Sequence, residues 1–139
     1  VPDGKEPTAM PLVMIHVVEG RRDDEALRAL ADTVHQVVLE HFDAPAGDRY
    51  QIITEHRRGL IIAEDTGLGF ERTDDLVVLR LVQQGRTTER KQDFYREVAR
   101  RLQQETGLAP TDLIVSVVAN EPEDWSFGLG EAQFLTGAL

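Results

Sequence analysis

The 139-residue chain contains no cysteine. That absence removes disulfides, thiolate nucleophiles and cysteine metal sites at one stroke. No apolar run approaches the ~18 residues of a spanning helix, and no signal-peptide pattern is present, so no membrane association and a cytoplasmic location are expected. Positive charge is scarce, with 15 basic against 25 acidic residues and a formal net charge of -10. A chain that negative repels phosphate backbones, and no nucleic-acid partner is expected. Its basic residues gather only locally, at Arg57-Arg58 and along Arg96, Arg100 and Arg101. The second set is interleaved with Glu97 and Glu105 and reads as a solvated helix face with internal ion pairs. A small anionic substrate remains compatible with this balance, because one well-placed arginine holds a carboxylate whatever the global charge.

Motifs are scarce too. The four histidines, His16, His35, His41 and His56, include no pair at i, i+4, which argues against a zinc site. His16 reads as a hydrogen-bonded core or interface histidine. Gly128-x-Gly130 lacks the third glycine of a dinucleotide fingerprint, since position 133 is Gln. No Gly-x-x-x-x-Gly-Lys occurs, and Ser126 lacks the setting of a nucleophile elbow.

What is present is an ordinary globular composition, 41% hydrophobic and 29% charged, in a length that suits one domain burying about two-thirds of its unfolded surface. Pro11 to Val18 is strand-like. Asp23 or Asp24 can cap a helix running to about Phe42, whose Leu27, Leu30, Ala31, Val34, Val37 and Val38 recur at three- and four-residue spacings. Arg49 to Thr54 reads as a second strand. Leu60-Ile61-Ile62-Ala63 is a short strand candidate, followed by a turn at Asp65-Thr66-Gly67-Leu68-Gly69. The opening pattern then recurs: strand from Leu76 to Val82, amphipathic helix from Thr88 to Glu105 with Gly107 as its left-handed cap, and strand from Leu113 to Val118.

These are two strand-helix-strand units of similar length. Each predicts a right-handed parallel pair crossed by its helix. Together they give an α/β (α+β) fold, a four-stranded mixed sheet with both helices on one face. Continuous apolar runs such as Leu113-Ile114-Val115 say that the other face is covered, and other subunits are the expected cover. The segment from Asp124 to Leu139 holds the only tryptophan and two of the five phenylalanines. It predicts either a hairpin packed on a neighbour or the apolar wall of a pocket.

The stretch with chemical consequence is Met10-Pro11-Leu12. If translation begins at Met10 and the methionine is trimmed, Pro11 becomes a terminus with a free secondary amine. Inside a chain the same nitrogen is an amide with neither proton nor basicity. Val1 to Met10, with Pro2, Gly4 and Pro7 among polar residues, reads as a flexible extension or a misassigned start, leaving residues 11–139 as the domain. The alternative is a proline that merely begins an edge strand. Beside Pro11, the residues that stand out are Asp48 before the second strand, Arg86 before the second helix, and the aromatic C-terminal segment.

Met10-Pro11-Leu12, Gly47-Asp48-Arg49-Tyr50-Gln51, the run Glu64 to Phe70, Gly85-Arg86-Thr87, Asp124-Trp125-Ser126-Phe127-Gly128 and Phe134-Leu135-Thr136-Gly137 together resemble the tautomerase superfamily, and within it the malonate semialdehyde decarboxylase group. The resemblance spans Pro11 to Leu139. It implies homotrimers of a duplicated β-α-β fold, an amino-terminal proline catalyst, a small oxo-acid substrate, and no metal or organic cofactor. By position, Pro11 matches the catalytic proline, Asp48 the aspartate that assists it or activates water, and Arg86 a substrate-binding arginine. Trp125, Phe127, Phe134 and Leu139 match the hydrophobic wall. One departure stands out: the Arg-Pro-Arg segment of the defining decarboxylase is Gln84-Gly85-Arg86 here. A glutamine at 84 can donate a hydrogen bond but carries no charge, so carboxylate binding or orientation should differ.

Three readings follow. The first is a cofactor-independent decarboxylase acting on a 3-oxo acid, with promiscuous hydratase or tautomerase activity. The second is a tautomerase of a 2-oxo acid of the phenylpyruvate type. The third is a catalytically silent trimer, should residues 1–10 remain attached to Pro11.

Overall fold

The computed structural model describes residues 11–45 and 47–139; the extension read into residues 1–10 lies outside them. Strand β1 (Leu12–Val18) leads to helix α1 (Asp24–Phe42) and strand β2 (Tyr50–His56). A second round gives β3 (Val77–Gln84), α2 (Thr88–Thr106) and β4 (Leu113–Asn120), and a four-residue helix α3 (Gln133–Thr136) follows near the C-terminus. β1 pairs parallel with β2, β3 pairs parallel with β4, and the two units join where β1 and β3 run antiparallel, in the order β2-β1-β3-β4. The predicted mixed sheet is thus present.

Both long helices start on side-chain caps. Asp23 accepts from the Ala26 N–H and Thr87 from the Arg90 N–H, each supplying an acceptor to an otherwise unpaired first-turn donor. α2 ends at Gly107, whose φ of 76° places it in the left-handed region that glycine enters without penalty. A shift of 64 positions carries Asp24–Phe42 onto Thr88–Thr106, and cap Asp23 onto cap Thr87. The duplication is therefore exact in the helices, while the strands slip by one residue.

Alternation sorts each strand. Val13, Ile15 and Val17 of β1 and Val77, Leu79 and Leu81 of β3 face the helices and are buried. They meet Leu30, Val34, Val37 and Val38 of α1 and Phe94, Val98 and Leu102 of α2 in one core. Phe42 and Phe94 stack between the helices with ring centroids 4.7 Å apart. Arg101 bridges Glu40 of α1 and Glu97 of α2, and Arg100 also pairs with Glu97. The Arg100 hydrogen bond, opposed by desolvation and reinforced by Arg101, draws the Glu97 carboxyl down to about 2. The basic stretch of α2 is, as its sequence suggests, a face of ion pairs.

Two expectations need correction. Leu60–Ala63 forms no strand: Gly59 (φ 88°) and a turn closed by the Leu60 N–H on the Arg57 carbonyl lead into an open arm. The run has the composition of a strand, but among the described residues it joins no ladder, and Ile62 stands 85% exposed. Nor does the C-terminal segment make a hairpin. It turns through a short 3-10 element at Pro122–Asp124 and then α3. Ile52 and Val118 lie on the second sheet face and remain exposed among the described residues of the single chain.

The stacked Phe42 and Phe94 rings sit at the centre of this core. Phe94→Ala should cost about 3–5 kcal/mol, whereas Tyr95→Ala, at a side chain 37% exposed, should cost under about 1 kcal/mol. Urea denaturation of the two variants checks this, and equal losses would contradict the assigned packing.

Candidate active site

Strand polarity decides where functional side chains can meet. β1 and β2 begin, and β3 and β4 end, at the same edge of the sheet, with Leu12 opposite both Tyr50 and Val82, and Gln84 opposite Asn120. Pro11 is buried one step before Leu12. Asp48 lies two residues ahead of Tyr50, Arg86 two beyond Gln84, and the aromatic segment follows Asn120. The chain thus brings Pro11, Asp48, Gln84, Arg86 and the aromatic segment, far apart in sequence, to one end of one sheet.

Arg86 is 9% exposed. Its Nη1 donates to the carbonyls of Gln84 (3.2 Å) and Gly85 (3.0 Å), and its Nη2 to that of Phe42 at the end of α1 (3.3 Å). Backbone carbonyls therefore fix the guanidinium in place. Asp48 is anchored through its backbone N–H to the Pro45 carbonyl (2.9 Å), while its Oδ2 is buried and accepts no hydrogen bond. Burial without a donor pushes this carboxyl above the ordinary range. Gln84 is buried at 3% exposure, on the face opposite the helices.

Trp125 donates from Nε1 to Asn120 Oδ1 (2.9 Å) and stacks on Phe127 at 5.2 Å; Phe134 meets Phe127 edge-on and Tyr50 approaches it at 5.6 Å. Gln133 braces the turn, accepting from the Phe127 N–H and donating to the Gly128 carbonyl. Of the two expectations for this segment, the hairpin is not formed, and the rings instead cluster beside Tyr50. Leu139 departs from the group, since it is 62% exposed with only its backbone N–H bonded, to the Gln133 carbonyl.

Three features escaped the sequence reading. Tyr50 belongs to the aromatic cluster, which requires knowing that β2 starts beneath it. His16 Nδ1 and His56 Nε2 lie 2.8 Å apart across β1 and β2, and burial, then His56, then Arg80 hold the His16 pKa below its usual value. Gln83 is fully buried with neither amide atom hydrogen-bonded. That last one was visible, because a polar residue following Val77, Leu79 and Leu81 at core parity breaks the alternation.

A cavity of about 580 Å³ opens at the opposite edge, lined by residues including Arg22, Asp75 and Asp112. The 64-residue shift carries Arg22 onto Arg86 and Asp48 onto Asp112, so this is the counterpart end of the duplicated fold. There the buried Asp112 is satisfied, accepting from the Thr73 N–H (2.7 Å) and hydroxyl. Arg22 donates to the Asp75 carbonyl at 2.7 Å. Asp75, itself paired with Arg21, occupies the position of Pro11. Among the described residues no cluster of three or more His, Asp or Glu side chains could hold a metal ion, and no helix is long and apolar enough to cross a membrane.

Comparison with known proteins bears on the family and the fold. Two family models, both described as tautomerase enzyme, match residues 11–71 and 48–128. The probable tautomerase YrdN of Bacillus subtilis (strain 168) is 57% identical over 130 residues, 94% of this chain and the whole of the relative. A malonate semialdehyde decarboxylase, solved in wild-type, mutant and inactivated forms as a basis for its decarboxylase and hydratase activities, superposes with a TM-score of 0.88 at 40% identity, over 92% of this chain and 98% of its own. A malonate semialdehyde decarboxylase inhibited by 3-bromopropiolate gives 0.87 at 42%, over 92% and 97%.

The raised Asp48 pKa has a testable sign. The folded protein keeps that proton to higher pH than the unfolded chain, so stability falls as pH rises from the ordinary carboxyl value of 3.8 through the raised one. Asp48→Asn should therefore be the more stable protein at neutral pH, with the gap narrowing toward about pH 4. Urea midpoints at the two pH values measure it, and a gap independent of pH would contradict the burial of Asp48. From the matched family models, the relatives and the shared fold, the chain belongs to the tautomerase superfamily, in its malonate semialdehyde decarboxylase-like group, and is an enzyme.

Proposed function

We propose that this enzyme uses Pro11, as a free amino terminus, to decarboxylate a small 3-oxo acid of the malonate semialdehyde type. The observation that carries the reading is the convergence, at one sheet end, of Pro11 with a buried carbonyl-braced arginine, a half-buried carboxyl whose Oδ2 lacks a donor, and an aromatic cluster.

In the proposed step the bond between the carboxylate carbon and C2 breaks. Its electron pair flows toward the carbonyl, carbon dioxide leaves, and the resulting enolate takes a proton at carbon. Arg86 holds and orients the carboxylate through charge-assisted hydrogen bonds. Cationic Pro11 donates to the carbonyl oxygen, where negative charge grows, or condenses with it to an iminium that accepts the electron pair. The aromatic wall of Trp125, Phe127 and Phe134 keeps water out and favours the loss of a charged group there. Leu139, exposed in the single chain, completes that wall only through a rearrangement or a neighbouring subunit. Asp48 assists Pro11 or, in a hydratase reaction, activates water.

A second reading is favoured by Gln84 standing where the defining decarboxylase has an arginine, and by the description of YrdN as a probable tautomerase. In it neutral Pro11 moves a proton between carbon and oxygen of an enolisable 2-oxo acid. A homotrimer in the cytoplasm suits either reading. Ile52, Leu60, Ile62 and Val118 are 51%, 59%, 85% and 37% exposed, an apolar surface that further copies would cover.

The test compares a chain starting at Pro11 with one retaining residues 1–10, each on malonate semialdehyde and on phenylenolpyruvate. Carbon dioxide release from the first compound by the Pro11-start chain alone is expected; ketonisation of the second without decarboxylation selects the tautomerase. Pro11→Ala should lower kcat/KM at least about 100-fold with an unchanged melting temperature, and Arg86→Ala should lose substrate binding and rate together. Equal activity of both chains, or full turnover by folded Pro11→Ala, would refute the amine as reagent.

A further inference from the structure

We propose that Gln83 contacts the substrate in the proline site: its Oε1 accepts a hydrogen bond from the Pro11 amine, and its Nε2 donates one to the substrate's carbonyl oxygen. The proposal rests on the reading of Pro11 as a free amine. The antiparallel ladder pairs Val13 with Leu81 and Leu12 with Val82, so one further step sets Pro11 opposite Gln83. Both positions share the parity of Val13 and Leu81, and their side chains project on the same side of the sheet.

Gln83 is 0% exposed, yet neither Nε2 nor Oε1 has a hydrogen-bond partner. Burying a carboxamide this way is costly, and buried polar groups in folded proteins are almost always paired. A structural role would leave its cause unexplained, because a leucine of similar length would fill the same space without the penalty. Opposite it stands Pro11, a group whose hydrogen-bonding capacity depends on the state of the chain. As an amide it offers no N–H; as a terminal secondary amine it offers one or two.

The chemistry required of position 83 suits a carboxamide. It presents a donor and an acceptor without net charge, so it neither repels an anionic substrate nor neutralises the amine. Its N–H strengthens its bond as the carbonyl oxygen gains negative charge, and no proton leaves the glutamine. Asp48 Oδ2, also buried without a donor, flanks the β2 side as Gln83 flanks the β3 side. At the counterpart end of the sheet the same shift gives Glu19, which is exposed, and the buried Asp112, which is fully bonded. At the Pro11 end Asp48 Oδ2 and both Gln83 amide atoms are buried without partners, whereas at the Asp75 end Arg22 Nη1 is so placed and the carboxylates Asp75 and Asp112 are paired.

The test uses a chain starting at Pro11, which retains all four strands and both long helices, with ¹⁵N-labelled proline. The Pro11 nitrogen is titrated by NMR in wild type, Gln83→Leu and Gln83→Glu, and kcat and KM are measured on malonate semialdehyde and phenylenolpyruvate. Loss of the acceptor in Gln83→Leu should lower the amine pKa by about half a unit or more, and the carboxylate of Gln83→Glu should raise it by about one unit. Gln83→Leu should also lower kcat at least tenfold with KM changed less than threefold. A folded Gln83→Leu that melts higher while keeping its amine pKa and its kcat overturns the proposal; a shifted pKa with unchanged kcat overturns the substrate contact. If Gln83→Glu fails to fold, the leucine variant decides alone. Should wild type turn over neither compound, the reading of the reaction falls, and the titration still decides whether Gln83 faces the amine.

Discussion

The antiparallel ladder between β1 and β3 is the constraint on which the molecule depends. Each half of the chain alone is a parallel pair under one helix, and such a pair buries only part of its apolar surface. Running β1 and β3 against one another joins the halves about a local twofold axis and lets α1 and α2 share one core. The same pairing sets the start of β1 beside the end of β3, which no parallel junction could do. A residue at the head of the first strand therefore meets residues that leave the third, some seventy positions later in the chain.

An internal twofold makes two such ends, and the structure shows how differently duplicated chemistry can be used. At one, Arg22 reaches the Asp75 carbonyl, Arg21 neutralises the Asp75 carboxylate, and Thr73 satisfies both oxygens of Asp112. Asp75 and Asp112 thus both have partners there, and among the described residues at that end the one buried side-chain atom left unpaired is Arg22 Nη1. At the other, Arg86 is held by backbone carbonyls, while Asp48 and Gln83 keep buried atoms without partners. Unpaired buried polar groups cost stability, and they persist where something beyond folding needs them. What differs between the ends is the acceptors: the buried carboxylate is satisfied at one, and a carboxylate oxygen and a carboxamide are left open at the other.

Periodicity carries the helices and strands because their signals are local. Asp23 and Thr87 cap the helices as carboxylate and hydroxyl acceptors, Gly107 stops α2, and alternation marks the core faces of β1 and β3. Leu60–Ala63 was misread for the converse reason, since a strand is defined by its neighbour and composition does not reveal whether one exists. The site was legible to the extent that its residues were unusual in themselves: a proline after methionine, an isolated arginine before a helix, a dense aromatic segment. Tyr50 and the His16–His56 contact were hidden, because each depends on the register between β1 and β2. Gln83 was legible in principle, from its place in the alternation of β3, and the resemblance drew attention to Gln84 instead.

A protein with a formal net charge of -10 that takes an anionic substrate must solve its electrostatics locally. Beyond about 8–10 Å the acidic surface is screened at physiological salt, so the charge that matters is that of Arg86 and whatever faces it. Under the proposed reading the Pro11 amine sits between opposing influences. Arg86 and the apolar wall disfavour its cation, while an ionised Asp48 would favour it. The burial that raises the Asp48 pKa weakens that favourable influence, because a carboxyl nearer its neutral form pulls less on a neighbouring cation. Neutral hydrogen-bonding groups then carry more of the balance. A glutamine at 83 and another at 84 set hydrogen bonds without adding charge, which leaves the amine's protonation, and with it the choice between proton transfer and decarboxylation, to be tuned by Asp48 and Arg86.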